Sequence, residues 1–445
     1  MKYSVFLLLI SCTVFSQRYS KDNEVKKYVS QVNEDSLKAY IGKLVSFGTR
    51  HTLSTTDDPK QGIGAARSWV IKKFNDYAKN SGGRMEVYLQ QEDLQPDGKR
   101  IDKVVNLGNA VAFLKGTDPN DKRIFLIGGH LDSRVTDVMN RTSIAPGAND
   151  DGSGVSAVIE SARILSKSSF PASIIFVAFS GEEQSLLGSK QLAEKIKREN
   201  LQLEAVLNND MIGNPKAGET GEINTRILRV FSEGMPYKDL DKKAMTIRNL
   251  GFENDSESRQ LARYIKEITE QYVKGLEIKL IYRNDRFLRG GDHTSFVNNG
   301  FPSVRLTEYY ENYDHQHQDI RTENNKKYGD LPEFIDFKYL KKNVAANIAV
   351  LANLAKSTSK PEKVEMEVKE LTNSTTLHWE KPKSGTPAGY YVLARETDSP
   401  VWQKKIFTTE LSMKVPLSKD NYIFAVQSIN QSGNLSVPVI PGIAK

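Results

Sequence analysis

The chain has 445 residues, 38% of them apolar and 26% charged, the balance of a globular protein with room for two or three domains. Its net charge of +7, from 62 basic and 55 acidic residues, is too small an excess to argue for nucleic-acid binding, and no basic stripe interleaved with aromatics accompanies it. The single cysteine, Cys12, excludes a disulfide framework and cysteine-ligated zinc.

Lys2, an apolar run from Val5 to Ile10, and the small residues Val14 and Ser16 read as a signal peptide over 1–16, too short to span a bilayer. A secreted or periplasmic protein is expected. Leu9-Ile10-Ser11-Cys12 offers a lipoprotein cut as a minor alternative, which would leave a lipidated Cys12. Residues 17–33 read as a leader or short propeptide. No later run is apolar enough for a transmembrane anchor.

Leu37, Ile41 and Leu44 recur at helical spacing, and a second helix is predicted over 63–77 with Ala66, Val70, Ile71 and Phe74 inward. Strands are predicted over 85–89 and 104–114. Beyond these the pattern changes: apolar runs at 124–127, 174–179 and 205–207 alternate with helices at 153–165 and 186–196. This predicts an α/β fold with a mostly parallel central sheet covered by helices, whose sites lie at the carboxyl ends of strands. Residues 222–284 are less regular, with a helix over 256–273 and a strand over 276–282. A strand at 303–306 and a long helix over 332–354 complete a domain of 34–355. The stretch KSTSKPEK at 356–363 reads as a linker. From 364 to 445 the apolar period becomes two, at Leu377 and Trp379, Tyr391 and Leu393, and Tyr422, Phe424 and Val426. A small all-β sandwich is predicted there, and these spacings resemble a fibronectin type III module. His378, beside Trp379 on an alternating strand, reads as a surface residue.

The polar clusters follow the apolar runs. They are His130 to Ser133, Asn149 to Gly154, Ser180 to Glu183, Asn208 to Asp210, Asp292-His293, and Asp314 to Asp319. Four of the six histidines fall in these clusters. Adjacent carboxylates such as Asp150-Asp151 and Glu182-Glu183 at buried strand ends repel one another unless something positive sits among them. No lysine or arginine lies in 147–154 or 179–188, so a pair of divalent cations is the simplest compensation. Imidazole with carboxylate favours zinc over magnesium or calcium.

The ordered set HLDS (130–133), APGANDDGSG (145–154), SGEE (180–183), NNDMIG (208–213), GGDH (290–293) and HQHQD (315–319) resembles the co-catalytic zinc aminopeptidases of peptidase family M28, in particular secreted bacterial members with an appended C-terminal module. The resemblance covers about 49–355 and implies two zinc ions per chain. It implies His130 and Asp210 on one zinc, Glu183 and His315 on the other, and Asp150 as the bridge. It also implies a cis Asp150–Asp151 peptide, Glu182 as general base, and Asp132 accepting a hydrogen bond from His130, with Asp151 and Asp319 supporting the ligands. The family's four-residue offset from histidine to aspartate points to His315 rather than His317, which then lines the cleft. Asp292, His293, Tyr309 and Tyr310 are candidate pocket residues. The expected activity is release of N-terminal residues from peptides or proteins with a free N-terminus. The alternatives are a related binuclear zinc hydrolase, carboxypeptidase or amidohydrolase, and a non-enzymatic surface-binding protein. The C-terminal module is expected to bind an unidentified surface or polymer, and the chain is taken as a monomer.

Overall fold

A computed structural model describes residues 20–235 and 249–444. The signal peptide read over 1–16, and Cys12 with it, lies outside the described residues. The central sheet has eight strands: β1 (Met85–Leu94), β2 (Val105–Leu114), β3 (Arg123–His130), β4 (Ser173–Phe179), β5 (Gln202–Asn209), β6 (Ile227–Ser232), β7 (Glu277–Ile281) and β8 (Ser303–Glu308). Their order is β1-β2-β4-β3-β5-β8-β6-β7. The middle strands β4, β3, β5 and β8 run parallel, whereas β1, β2 and β6 pair antiparallel with their neighbours or with β8.

The parallel strands read as continuous apolar runs because both faces are covered. Phe125 and Ile127 join the core beneath α4 (Gly152–Leu165) and α8 (Phe337–Lys356). Ile124 and Leu126 point the other way, into a core closed by α5 (Leu187–Arg198) and α7 (Asp292–Asn298) through Leu192, Ile196 and Phe296. Helices α2 (Glu34–Val45), α3 (Gly62–Ala78) and α6 (Glu257–Tyr272) complete the first of these layers. Among the described residues no helix is long and apolar enough to cross a membrane.

Within the segment read as a leader or short propeptide over 17–33, the described residues supply a helix, α1 (Asn23–Ser30), to the folded body: Val25 is fully buried and Tyr28 and Val32 nearly so. Two sequence expectations are corrected. The helix expected over 332–354 is broken. A 3-10 turn at Pro332–Phe334 ends before Asp336, which caps α8 by accepting from the amides of Lys338 and Tyr339. The linker read over 356–363 is a buried junction. Arg123 donates to the carbonyls of Ser357 (2.7 Å) and Thr358 (3.0 Å) while Asp121 holds the same guanidinium at 2.6 Å. Serine and threonine there satisfy internal hydrogen bonds instead of meeting water.

The C-terminal region forms two sheets, β15-β12-β11-β17 and β14-β13-β16. Their strands are β11 (Glu362–Met366), β12 (Thr375–Glu380), β13 (Gly389–Glu396), β14 (Lys404–Thr408), β15 (Ser412–Val415), β16 (Tyr422–Ile429) and β17 (Gly442–Ile443). Leu377, Trp379, Val392, Phe424 and Val426 fill the space between the sheets. Tyr391, Leu393, Ala425 and Ile429, on the opposite face of β13 and β16, are part of the main core of the α/β body. His378 is exposed and pairs with Glu367 at 2.6 Å.

Candidate metal centre

Three of the polar clusters emerge where a buried strand ends. His130 closes β3, Glu182 and Glu183 follow β4, Asp210 follows β5, and Asp150 immediately precedes α4. Asp151 joins three of these segments. It accepts from the amides of His130 (2.9 Å), Gly154 (2.9 Å) and Met211 (3.2 Å), which fixes the end of β3, the start of α4 and the turn after β5. Gly154 is required by this closeness, since a Cβ there would stand 2.3 Å from the Asp151 carboxylate and 2.6 Å from the Asn209 carbonyl. The Asp150–Asp151 peptide is cis.

Asp132 anchors the next turn. Its carboxylate accepts from the amides of Gly181 (3.0 Å), Glu182 (3.2 Å) and Glu183 (3.0 Å) and from the Thr52 hydroxyl (3.0 Å). His130 Nδ1 lies 3.0 Å from the Asp132 backbone carbonyl, while the carboxylate expected to hold it is 3.8 Å away. A carbonyl acceptor fixes the tautomer equally well and leaves Nε2 free to bind.

Two sets of donor atoms converge. His130, Asp150 and Asp210 form one and Asp150, Glu183 and His317 the other, each with all its atoms within 4.8 Å of one another. Asp150 belongs to both: Oδ1 lies 3.0 Å from His130 Nε2 and Oδ2 2.9 Å from His317 Nε2. His317 Nε2 is also 2.8 Å from Glu183 Oε1, yet that buried oxygen accepts no well-formed hydrogen bond. One N–H cannot serve two carboxylates, so the lone pairs of this group point at a common centre. The electrostatics agree. Burial alone would lower the His317 pKa, but Glu183 and Asp150 push it up to about 10. Burial alone would raise Asp150, but His317 and His130 hold it well below the ordinary carboxylate range. The site demands positive charge, and an imidazole–carboxylate donor set suits zinc.

The structure brings His317, not His315, to this centre. His315 lies flat against Phe334, ring centroids 3.5 Å apart, with Asn214 at its Nδ1. Burial and the charges of nearby lysines, opposed by Asp314, lower its pKa to about 4. Spacing misled because the histidines sit in an irregular turn where His317 takes a positive φ of 54°. Gln316, between them, donates to Asp150 Oδ2 at 3.0 Å. Asp319, read as support for His315, makes its described contacts through its backbone, the amide to Thr136 and the carbonyl to Arg321.

A cleft of about 370 Å³ opens over the centre and is lined by Asp150, Glu182, Glu183, Asp210 and His317. The Glu182 carboxylate accepts no hydrogen bond from a described residue, and burial with the charges of Glu183, Asp210 and Asp292 raises its pKa well above the ordinary value, against the pull of His130. The expected pocket residues Asp292, His293, Tyr309 and Tyr310 are not among those lining this cleft. Asp292 and His293 are fully buried behind it, with His293 Nε2 on the Asn284 carbonyl at 2.6 Å. Tyr309 and Tyr310 pack edge to face against each other.

Sequence reasoning missed four supporting residues. Arg134 reaches Glu183 Oε2 (2.8 Å) and His317 Nδ1 (2.6 Å), and the buried Arg305 reaches Asp210 Oδ1 (3.0 Å). The carboxylates are therefore met by positive charge distant from them in sequence, Arg134 just past the HLDS motif and Arg305 on β8. Asp285 holds Arg305 at 3.1 Å, and Asp330 accepts from the amides of Asn149 and Asp150. No periodicity or motif marks Arg305, Asp285 or Asp330, and Arg134 stands just outside the HLDS motif.

The model of peptidase family M28 matches residues 109–335. A probable zinc metalloprotease of Leptosphaeria maculans is 42% identical over 95% of this chain and 98% of its own length. One of Pyrenophora tritici-repentis is 40% identical over 94% of this chain and 87% of its own. Both relatives are fungal, where the sequence motifs pointed to bacterial ones. The LapA aminopeptidase of Legionella pneumophila superposes with a TM-score of 0.53 at 19% identity, covering 75% of this chain and 76% of that one. The glutaminyl cyclase of Porphyromonas gingivalis does so with a TM-score of 0.51 at 19% identity, covering 72% and 98%. At such identities the two structures share the fold with this chain.

Proposed function

The chain belongs to peptidase family M28, and from that premise we propose that it is a zinc metallopeptidase acting as an aminopeptidase with two zinc ions. The observation that carries the reading is the sharing of Asp150 between the two donor sets, with Glu182 in the same cleft. His130 and Asp210 would hold one ion, Glu183 and His317 the other, and Asp150 both. Bound zinc supplies a water of near-neutral pKa and a Lewis acid for the scissile carbonyl. Glu182 takes the proton that the attacking water loses and returns it to the leaving nitrogen. Asp132 aims Glu182 through the amides of 181–183. With this reading go export through the 1–16 signal, a monomeric state, and peptide or protein substrates with a free N-terminus. The C-terminal sheets are read as a fibronectin type III-like module on their seven strands and period-two core.

The test is zinc content measured on the same protein as hydrolysis of aminoacyl p-nitroanilides, free and N-acetylated. Two zincs with cleavage of the free amines alone is the expected result. Cleavage of the acetylated forms overturns the aminopeptidase reading, and a zinc content near zero after reconstitution overturns the metal centre.

A further inference from the structure

The cleft is lined by arginine. Outside the metal-facing group its lining includes Arg100, Arg134, Arg286 and Arg289, and among the described residues Leu186 is the one aliphatic side chain that lines it. A pocket for a leucine-like residue needs apolar walls to reward burial, and these walls would not supply them.

The arginines are only partly used. Arg100 donates through Nη1 to the Glu183 carbonyl at 2.9 Å. Arg286 donates through Nε to Asp285 (3.2 Å) and through Nη1 to Glu311 (3.1 Å). Arg289 stands 3.6 Å from the same Glu311 carboxylate through Nη1. No described residue accepts a hydrogen bond from Nη2 of any of the three. Glu311 is already held by Arg229 at 2.8 Å, so it cannot neutralise the whole group. If two dications balance Asp150, Glu182, Glu183 and Asp210, the cleft is left with more arginines than Asp285 and Glu311 can offset.

We propose that the cleft selects substrates that carry a carboxylate beside the scissile bond, held by Arg100, Arg286 and Arg289. The planar guanidinium fork fits a carboxylate with two parallel hydrogen bonds and discriminates against the isosteric amide, which brings donors to donors. The carboxylate has two sources in a peptide: an aspartate or glutamate side chain, or the terminal carboxylate of a short substrate. The inference rests on the peptidase reading for the word substrate, but the carboxylate preference is measurable without turnover.

The test titrates the zinc-loaded full chain with glutamate, glutamine, leucine and leucine amide by calorimetry, and measures kcat/KM on Glu-, Gln- and Leu-p-nitroanilide. A side-chain source predicts glutamate binding at least tenfold tighter than glutamine. A terminal source predicts leucine at least tenfold tighter than leucine amide. Either preference must fall at least fivefold in Arg289→Gln and Arg100→Gln and recover only in part in Arg289→Lys, which keeps the charge without the fork; this separates the arginines from direct binding of the ligand to zinc. Equal affinity for acid and amide in both pairs, or a preference that survives the Arg100→Gln/Arg289→Gln double variant, overturns the proposal. If the titration shows the preference and no p-nitroanilide is cleaved, the aminopeptidase reading fails and this one stands. If neutral anilides are cleaved and the titration shows no preference, the reverse holds.

Discussion

His317 Nε2 lies 2.9 Å from Asp150 Oδ2, on the opposite side of that carboxylate from His130. His315, two residues earlier, contributes to packing on Phe334 instead. His317→Ala is therefore expected to release one zinc of two and to lower kcat/KM by more than the roughly 10- to 100-fold that loss of a supporting residue costs. His315→Ala should retain both zincs. Zinc content by mass spectrometry on the two purified variants decides the matter, and one zinc lost from His315→Ala with none lost from His317→Ala would reverse the assignment.

Much of this was legible because the physics was local. The runs at β3, β4 and β5 are apolar on both faces, so their ends, and the charged residues just past them, could be placed from sequence. His130, Glu183 and Asp210 lie at those ends, whereas their roles as ligands, and the place of Asp150 ahead of α4, came from the resemblance of the ordered motifs. His317 followed from neither, because inside an irregular turn a spacing of two or four residues carries no direction. Strand β6 was missed: Arg229 and Ser232 break the apolar run that marks a buried strand, although Leu228, Val230 and Phe231 are buried. Arg134 and Arg305 compensate carboxylates 49 and 95 residues away, and no window along the chain contains both partners.

Glu182→Gln should keep both zincs, since Gln preserves the shape and the amide contacts to Asp132 are made by the backbone. Turnover should fall by about 10²- to 10⁴-fold, the usual worth of a general base. Metal analysis and steady-state rates on one preparation test this, and turnover within a few-fold of wild type would remove Glu182 from the reaction.

The C-terminal sheets should not behave as a detachable module. Arg395 Nη2 pairs with Asp255 Oδ2 at 2.6 Å with both side chains almost fully buried, and Tyr264 OH donates to the carbonyl of Leu435 at 3.0 Å. Arg395→Ala removes one partner of a buried pair, which costs about 3 kcal/mol here because Arg263 remains on Asp255 at 2.9 Å. Urea unfolding followed by Trp fluorescence and by far-ultraviolet circular dichroism should give one coincident transition, shifted to lower urea in the variant. A chain truncated after Ser359 should aggregate, because the apolar surface under Tyr391, Leu393 and Ile429 would face water. A soluble truncated chain with unaltered zinc content and activity would contradict this integration.

Asp22 gives the docking of the N-terminal helix a pH dependence. Its carboxylate caps α1 at the Glu24 amide (2.8 Å), pairs with Lys356 (2.7 Å) and accepts from Asn434 Nδ2 (3.1 Å), so it ties α1, the end of α8 and the C-terminal sheets at one point. Burial would raise its pKa, but Lys356, Asn434 and the Glu24 amide together hold it below the ordinary aspartate value. A carboxyl whose folded pKa is depressed adds stability above its unfolded pKa of about 3.9 and loses it as pH falls through the folded value. Asn is as good a helix cap as Asp, so Asp22→Asn removes the charge and keeps the cap. The variant should be less stable than wild type at pH 7 by up to about 1 kcal/mol, and the difference should vanish as pH falls through the depressed folded pKa of Asp22. Paired urea titrations of the two proteins at several pH values measure it directly. A difference that stays constant down to low pH would assign the effect to altered packing around residue 22, and a difference that grows on acidification would contradict the depressed pKa itself.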